Sequence, residues 1–281
     1  MKHLITSTLV KIGALVALSS CAKIPAEVAQ SVPMVSTPVV FTSSAKAPGV
    51  AYNKPSLMSL LLTKAVAFVP ASLQDSNSAA VTLNQAWVAV KTIKFKQAEI
   101  AATGEDNSVK FVGPYFVDLL SAMPSPIDTQ SLPAGSYRRI EFILHAGATV
   151  PAGVPAQLVG NSIYLNGAVN GFSFSYTSTD GAQIMIAGPK GLPLDGSSDI
   201  LISVRLADIF SKINMAAINA NVAITQANRV PAANPCPLID AAAADIYTCI
   251  RRGVELKTQM GQDANHSGEL DATEKEVHQT I

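Results

Sequence analysis

A chain of 281 residues with 20 basic and 20 acidic side chains has no formal net charge, and at 14% charged residues it leaves no electrostatic footprint for nucleic acid or an anionic surface. Apolar residues make up 48% of it and aromatic residues only 6%, so a core has to be built from Val, Ile, Leu and Ala rather than from rings.

The first segment in chain order, Met1 to Ser20, reads as a targeting sequence: Lys2 and Lys11, then the apolar run "IGALVALSS", then Cys21. The run is short for a bilayer span and Lys11 interrupts it. Leu18, Ser19, Ser20 and Cys21 resemble the lipobox of bacterial lipoproteins, with an ordinary secretory signal as the alternative. The resemblance implies acylation of Cys21 and anchoring without spanning. Ala22 after the cysteine implies passage to the outer membrane, facing the periplasm or the outside. Residues 21–52 mix Pro, Ser, Ala and Val without a period, the composition of a tether.

Residues 53–210 carry β signals. "AVTLNQAWVAVKTIKFKQAEI" alternates through Val88 and Val90, then resumes at Ile93 and Phe95 after a one-residue shift, as a half-buried strand with a bulge does. "VKFVGPYFVDLL", "YRRIEFILHA", "SIYLNG", "GFSFSYTS", "AQIMIAG" and "DILISVRL" follow, separated by Gly, Pro, Asn, Asp and Ser clusters. Such short, closely spaced strands predict an antiparallel β-sandwich.

Residues 211–281 change texture. An Ala-rich run, helical in parts, reaches "NPCP", and apolar residues from Ile239 through Ile246, Cys249, Ile250 and Val254 then approach one helix face. With Cys21 set aside, Cys236 and Cys249 are the pair left for a disulfide in an export compartment. The bridge would contribute roughly 3 kcal/mol on the chain-entropy account; two free thiols are the alternative.

The predicted helix, about 20 residues long, leads into "DANHSGELDATE", residues 263–274. Asp263, Asn265 and Ser267 stand at positions 1, 3 and 5 of a twelve-residue loop, Gly268 at the sharp turn of position 6, and Glu269, Asp271 and Glu274 at positions 7, 9 and 12. Clustered carboxylates repel one another unless a cation makes them a ligand set. The spacing resembles an EF-hand, with Ser267 a departure from the Asp or Asn usual there, and it predicts one Ca2+ site. A solvated acidic turn is the alternative.

"FVGPYFVDLLS" and "LPAGSYRRIEFIL" are similar to a pattern in bacterial lipoproteins of the domain-of-unknown-function family 4382. Asp118, Leu119 and Leu120 match a strand-ending step, and Leu132, Pro133, Ala134, Gly135 and Tyr137 a turn opening the next strand. The resemblance covers residues 55–210 and implies a prealbumin-like β-sandwich; it supplies no activity. On the residues alone, Pro133 and Gly135 suit a tight turn, Tyr137 a buried ring with its hydroxyl on nearby backbone, and Asp118 a local cap.

His3, His145, His266 and His278 form no ligand spacing, and there is no nucleophile elbow or phosphate loop. Trp87 reads as core, with an exposed ligand platform as the alternative. The expected function is a lipid-anchored, calcium-binding, non-catalytic module of the cell envelope. The alternatives are a carbohydrate- or peptide-binding sandwich assisted by calcium, or a calcium-responsive interaction protein.

Overall fold

The computed structural model describes residues 34–43, 71–97, 108–121, 125–145, 147–194, 199–264 and 279–280, all within one compact unit from Pro33 to Ile281. The chain is mainly β. Its strands are β1 (Met34–Ser43), β2 (Ala71–Gln74), β3 (Ala80–Gln97), β4 (Ser108–Asp118), β5 (Ser125–Pro133), β6 (Gly135–Leu144), β7 (Ile163–Val169), β8 (Phe172–Ser178), β9 (Gln183–Leu194), β10 (Asp199–Val204), β11 (Val222–Ile224), β12 (Thr258–Asp263) and β13 (Gln279–Thr280). Among the described residues two α-helices, α1 (Leu206–Phe210) and α2 (Ile246–Leu256), accompany them.

One sheet runs β12-β10-β1-β5 and the other β11-β8-β7-β3-β6-β9-β13, with β2 and β4 also bonded to β3. Strand β3 is the hub. Val81 pairs with both Leu73 and Val169, Trp87 with both Asp118 and Tyr164, and Ile93 with both Phe111 and Phe142. Strands β2 and β4 therefore share one edge of β3, and β7 and β6 share the other.

Register shifts between Leu83 and Gln85 and between Val90 and Thr92 let this 18-residue strand serve successive partners. The second shift leaves Lys91 exposed and re-aims the inward series from Val88 and Val90 to Ile93 and Phe95, as the sequence alternation indicated. Close approach is required at Gly167, where a Cβ would stand 2.1 Å from the Thr82 carbonyl oxygen.

The inward side chains of both sheets and both helices join one core containing Val39, Phe95, Leu132, Ile186, Ile202, Phe210 and Ile250. Phe95 meets the rings of Phe111 and Tyr137 edge to face at 5.2 and 6.0 Å. The chain passes from β5 in one sheet to β6 in the other across Ala134 alone. Tyr137, fully buried, donates its hydroxyl to the Pro133 carbonyl at 2.8 Å and so braces that crossing.

One buried carboxylate is held by backbone donors. Asp75, only 4% exposed, accepts the amides of Asn77 and Ala79 on Oδ1 and that of Met215 on Oδ2, tying the β2–β3 turn to the segment after α1. Cys236 and Cys249 form a disulfide, both fully buried, which fastens α2 to the turn before it.

Two expectations need correction. The tether of residues 21–52 contains a strand, because Met34–Ser43 is β1, paired with β10 and β5. Its Val, Thr and Phe residues favour a strand, and Pro38, which argues against one in sequence, sits beside a register shift at Val39/Val40 where proline is tolerated. The segment Ser125–Pro133, also bearing prolines, is strand β5.

The second correction concerns the entry to the acidic loop. Helix α2 has 11 residues and ends at Leu256; β12 then runs antiparallel to β10 up to Asp263. The element entering the loop is a strand rather than a long helix. Gly261 would cost a helix about 1 kcal/mol, while Thr258 donates its hydroxyl to the Val254 carbonyl at 2.7 Å and closes the helix. The open edge of β10 then takes the chain as a strand.

Candidate functional site

Helix α2 starts where Asp245 Oδ1 accepts the Thr248 amide at 2.6 Å. Its face of Ile246, Cys249, Ile250, Gly253 and Val254 is buried, and Gly253 brings it close against Ile209 of α1. The helix thereby holds the start of β12, whose residues Thr258, Met260 and Asp263 are buried. Asp263 closes the strand fully buried, opposite Asp199 in the register. Cys21 and the remaining proposed ligands, Asn265, Ser267, Glu269, Asp271 and Glu274, lie outside the described residues.

A polar network fastens α2 to β8. Tyr247 donates its hydroxyl to Asp180 Oδ2 at 2.9 Å and lies 3.0 Å from Ser178 Oγ. The guanidinium of Arg229 sits 5.1 Å from the Tyr247 ring centroid, and Arg251 Nε lies 3.8 Å from Asp180 Oδ2. Tyr176, whose ring is 5.4 Å from that of Tyr247, keeps a buried hydroxyl without a hydrogen bond of ordinary geometry, although Ser178 Oγ is near enough to oppose in part the rise of its pKa. Burial, reinforced by Tyr247, pushes the Tyr176 phenol well above its usual range, and burial also raises Tyr247. Ser178 is fully buried and its hydroxyl is engaged, so the network is a clamp and not a nucleophile open to substrate.

Sequence reasoning took Trp87 as core and Asp118 as a local cap, and the register joins them. Asp118 of β4, Trp87 of β3, Tyr164 of β7 and Thr177 of β8 are consecutive cross-strand partners, so they form one row on the outward face. Trp87 is half-buried; with Phe116, Val150 and Val154 it packs around Ala89, Leu158 and Tyr164 in a small outer core. The neighbouring outward row is Gln85, Asn166 and Ser175.

Thr177 also lines an open cavity of about 430 Å³ with Asn161, Thr179, Thr225, Gln226 and Ala227. The region presents an aromatic ring, hydroxyls and amides with one carboxylate, a set suited to an uncharged polar ligand. The signal was there in the polar positions between the buried ones of β3, β7 and β8, but its assembly depends on register.

Asp118 Oδ1 accepts the Leu120 amide at 2.9 Å. Burial raises its carboxyl above the ordinary carboxylate value, and that bond opposes the rise only in part. A carboxyl raised by folding contributes stability that is complete below its unfolded pKa and lost as pH rises through its folded one. Asp118→Asn keeps an acceptor and removes the buried charge, so its melting temperature should equal or exceed that of the parent near pH 7. The gap should close as pH falls below about 4 and the parent carboxyl protonates. A variant less stable than the parent at pH 7 would contradict burial as the dominant influence.

No protein-family model matches the chain, and no curated protein does. Among solved structures it is similar to MbnP from Methylosinus trichosporium over 83% of this chain and 100% of that one, at 12% identity and a TM-score of 0.41, a likeness too slight to carry fold or function across.

Proposed function

We propose that the protein is a lipid-anchored, calcium-binding, non-catalytic module of the cell envelope, held at the outer membrane through Cys21. Its described domain is read as a prealbumin-like β-sandwich of the family 4382 kind. The observation that carries the calcium reading is the placement of Asp263: a buried carboxylate at the fixed end of β12 opens the twelve-residue series of Asn265, Ser267, Glu269, Asp271 and Glu274. A strand bonded to β10 supplies the rigid entry that a helix supplies in an EF-hand, so position 1 is oriented by the sheet. Oxygen ligands in this pattern suit a hard divalent cation. The buried Cys236–Cys249 bridge fits an oxidising compartment.

A site of the affinity usual for extracellular modules, roughly 0.1 to 1 mM, would add about 0.4 to 1.4 kcal/mol of stability at millimolar calcium. That is enough to shift the melting temperature by a few degrees and too little to drive a large switch. Calorimetric titration of the chain from Ala22 onward should show one saturable calcium ion per chain, weakened at least tenfold in Glu274→Gln, with magnesium binding less tightly. Absence of binding at millimolar calcium would reduce the loop to an acidic turn.

A second reading, a carbohydrate-binding surface on the same domain, is favoured by the row Asp118–Trp87–Tyr164–Thr177. A sugar ring can stack on a half-exposed indole while hydroxyls and amides take its polar groups. An array of cell-wall glycans, read with and without calcium, should then yield a binder whose retention falls at least tenfold in Trp87→Ala. An array on which nothing is retained would count against this reading alone.

A further inference from the structure

The C-terminal half of β3 and its neighbours build a surface that the zero net charge of the chain conceals. Three outward rows cross β4, β3 and β6. Lys110, Lys94 and Glu141 make the first, Ser108, Lys96 and Arg139 the second, and Val112, Thr92 and Ile143 the third. Residues of intervening inward rows, Phe95 with Ile140 and Ile93 with Phe111 and Phe142, are buried in the core.

The outward rows hold four cations and one carboxylate. Glu141 Oε1 meets both Lys96 Nζ at 3.2 Å and Arg139 Nε at 3.1 Å, which spreads one negative charge over two positive ones. Lys110 is exposed and faces Lys94, a residue of like sign, across the β3–β4 pair. Beside the basic rows, Val112 is 65% exposed and Ile143 37%. The combination is a basic sheet face edged by aliphatic side chains.

We propose that this face docks on an anionic phospholipid bilayer, laying the domain against the membrane. Charge complementarity selects an anionic partner. Lipid is favoured over single-stranded nucleic acid because Phe95, Phe111, Phe142 and Tyr137 of these strands are buried in the core, while the half-buried Trp87, Tyr115 and Phe116 lie beyond the shift at Val90/Thr92, so the basic rows carry no stacking platform. Val112 and Ile143 stand where they can enter the headgroup boundary while the lysines reach phosphate. The biological setting rests on the lipid-anchored reading; the face itself does not need the anchor, and the test is made without it.

The chain from Ala22 onward, which keeps every described residue and has no acyl chain, is mixed with vesicles of pure phosphatidylcholine or of phosphatidylcholine with about one third phosphatidylglycerol. A calcium chelator is present so that the ion cannot bridge protein to lipid. The protein should sediment with the anionic vesicles only, and the bound fraction should fall steeply as salt shortens the screening length. Lys94→Gln with Lys110→Gln should lower partitioning roughly ten- to thirtyfold, at about fivefold per basic residue, while the variant keeps the far-ultraviolet circular dichroism of the parent. Val112→Ser should weaken binding more modestly, and Lys212→Gln, away from the face, should leave it unchanged.

Equal binding to both vesicle types, or full binding by the double variant, would overturn the proposal, as would retention on an oligonucleotide but not on vesicles. Failure here with Cys21 still acylated in cells would leave the anchored reading standing. Success here without acylation would do the reverse.

Discussion

The larger sheet hangs on one strand that is hydrogen-bonded along both edges. Strand β3 has to satisfy the backbone groups of β2 and β4 on one side and of β7 and β6 on the other. A regular strand of that length would carry one unbroken set of residues into the core; the two register shifts break the set and curl the sheet. Because the shift at Val90/Thr92 falls between the β7 and β6 pairings, it divides the outer surface in two. Above it lie Trp87, Tyr164 and the hydroxyl and amide side chains, and below it the lysine rows. The two candidate surfaces of the protein are thus the two halves of a single strand.

The helical part is fastened to this framework by polar contacts that leave little freedom. Asp75 draws the segment after α1 against the β2–β3 turn through the Met215 amide. Tyr247 reaches Asp180, and the disulfide holds the opposite side of α2. A buried carboxylate or phenol is costly unless its partners are in place, so these contacts select one docking of α2 more than they add net stability. That docking sets the start of β12, and β12 sets Asp263.

Much of the β framework could be read in the sequence because alternation survives in strands with one buried face: β3 with its shift, β4, β6, β7 and β8 carry it, while β10, buried on both faces, reads as a short apolar run. Strands β1 and β5 escaped, since Pro38, Pro126 and Pro133 read locally as breakers and only the sheet shows where each is tolerated. The helix before the acidic loop was over-extended because Met260 lies in step with the apolar face of α2. What decided otherwise was a distant strand edge, which local propensity does not register. Of the candidate sites, the calcium series is visible because its ligands are contiguous. The Trp87 row and the basic face join residues from three or four strands, and the composition cancels the latter's charge.

If the series from Asp263 to Glu274 binds calcium, the ion would act on the sheet through one residue. An ion bound by Asp263 would clamp the end of β12 and, through the β10 pairing, the strand beside it, while β3 would be indifferent. Amide hydrogen exchange with and without millimolar calcium tests this most directly. The account predicts slower exchange across residues 258–264 and 199–204 when calcium is present, with β3 unchanged. Identical exchange in β12 under both conditions, or slowing spread evenly over the whole domain, would contradict it.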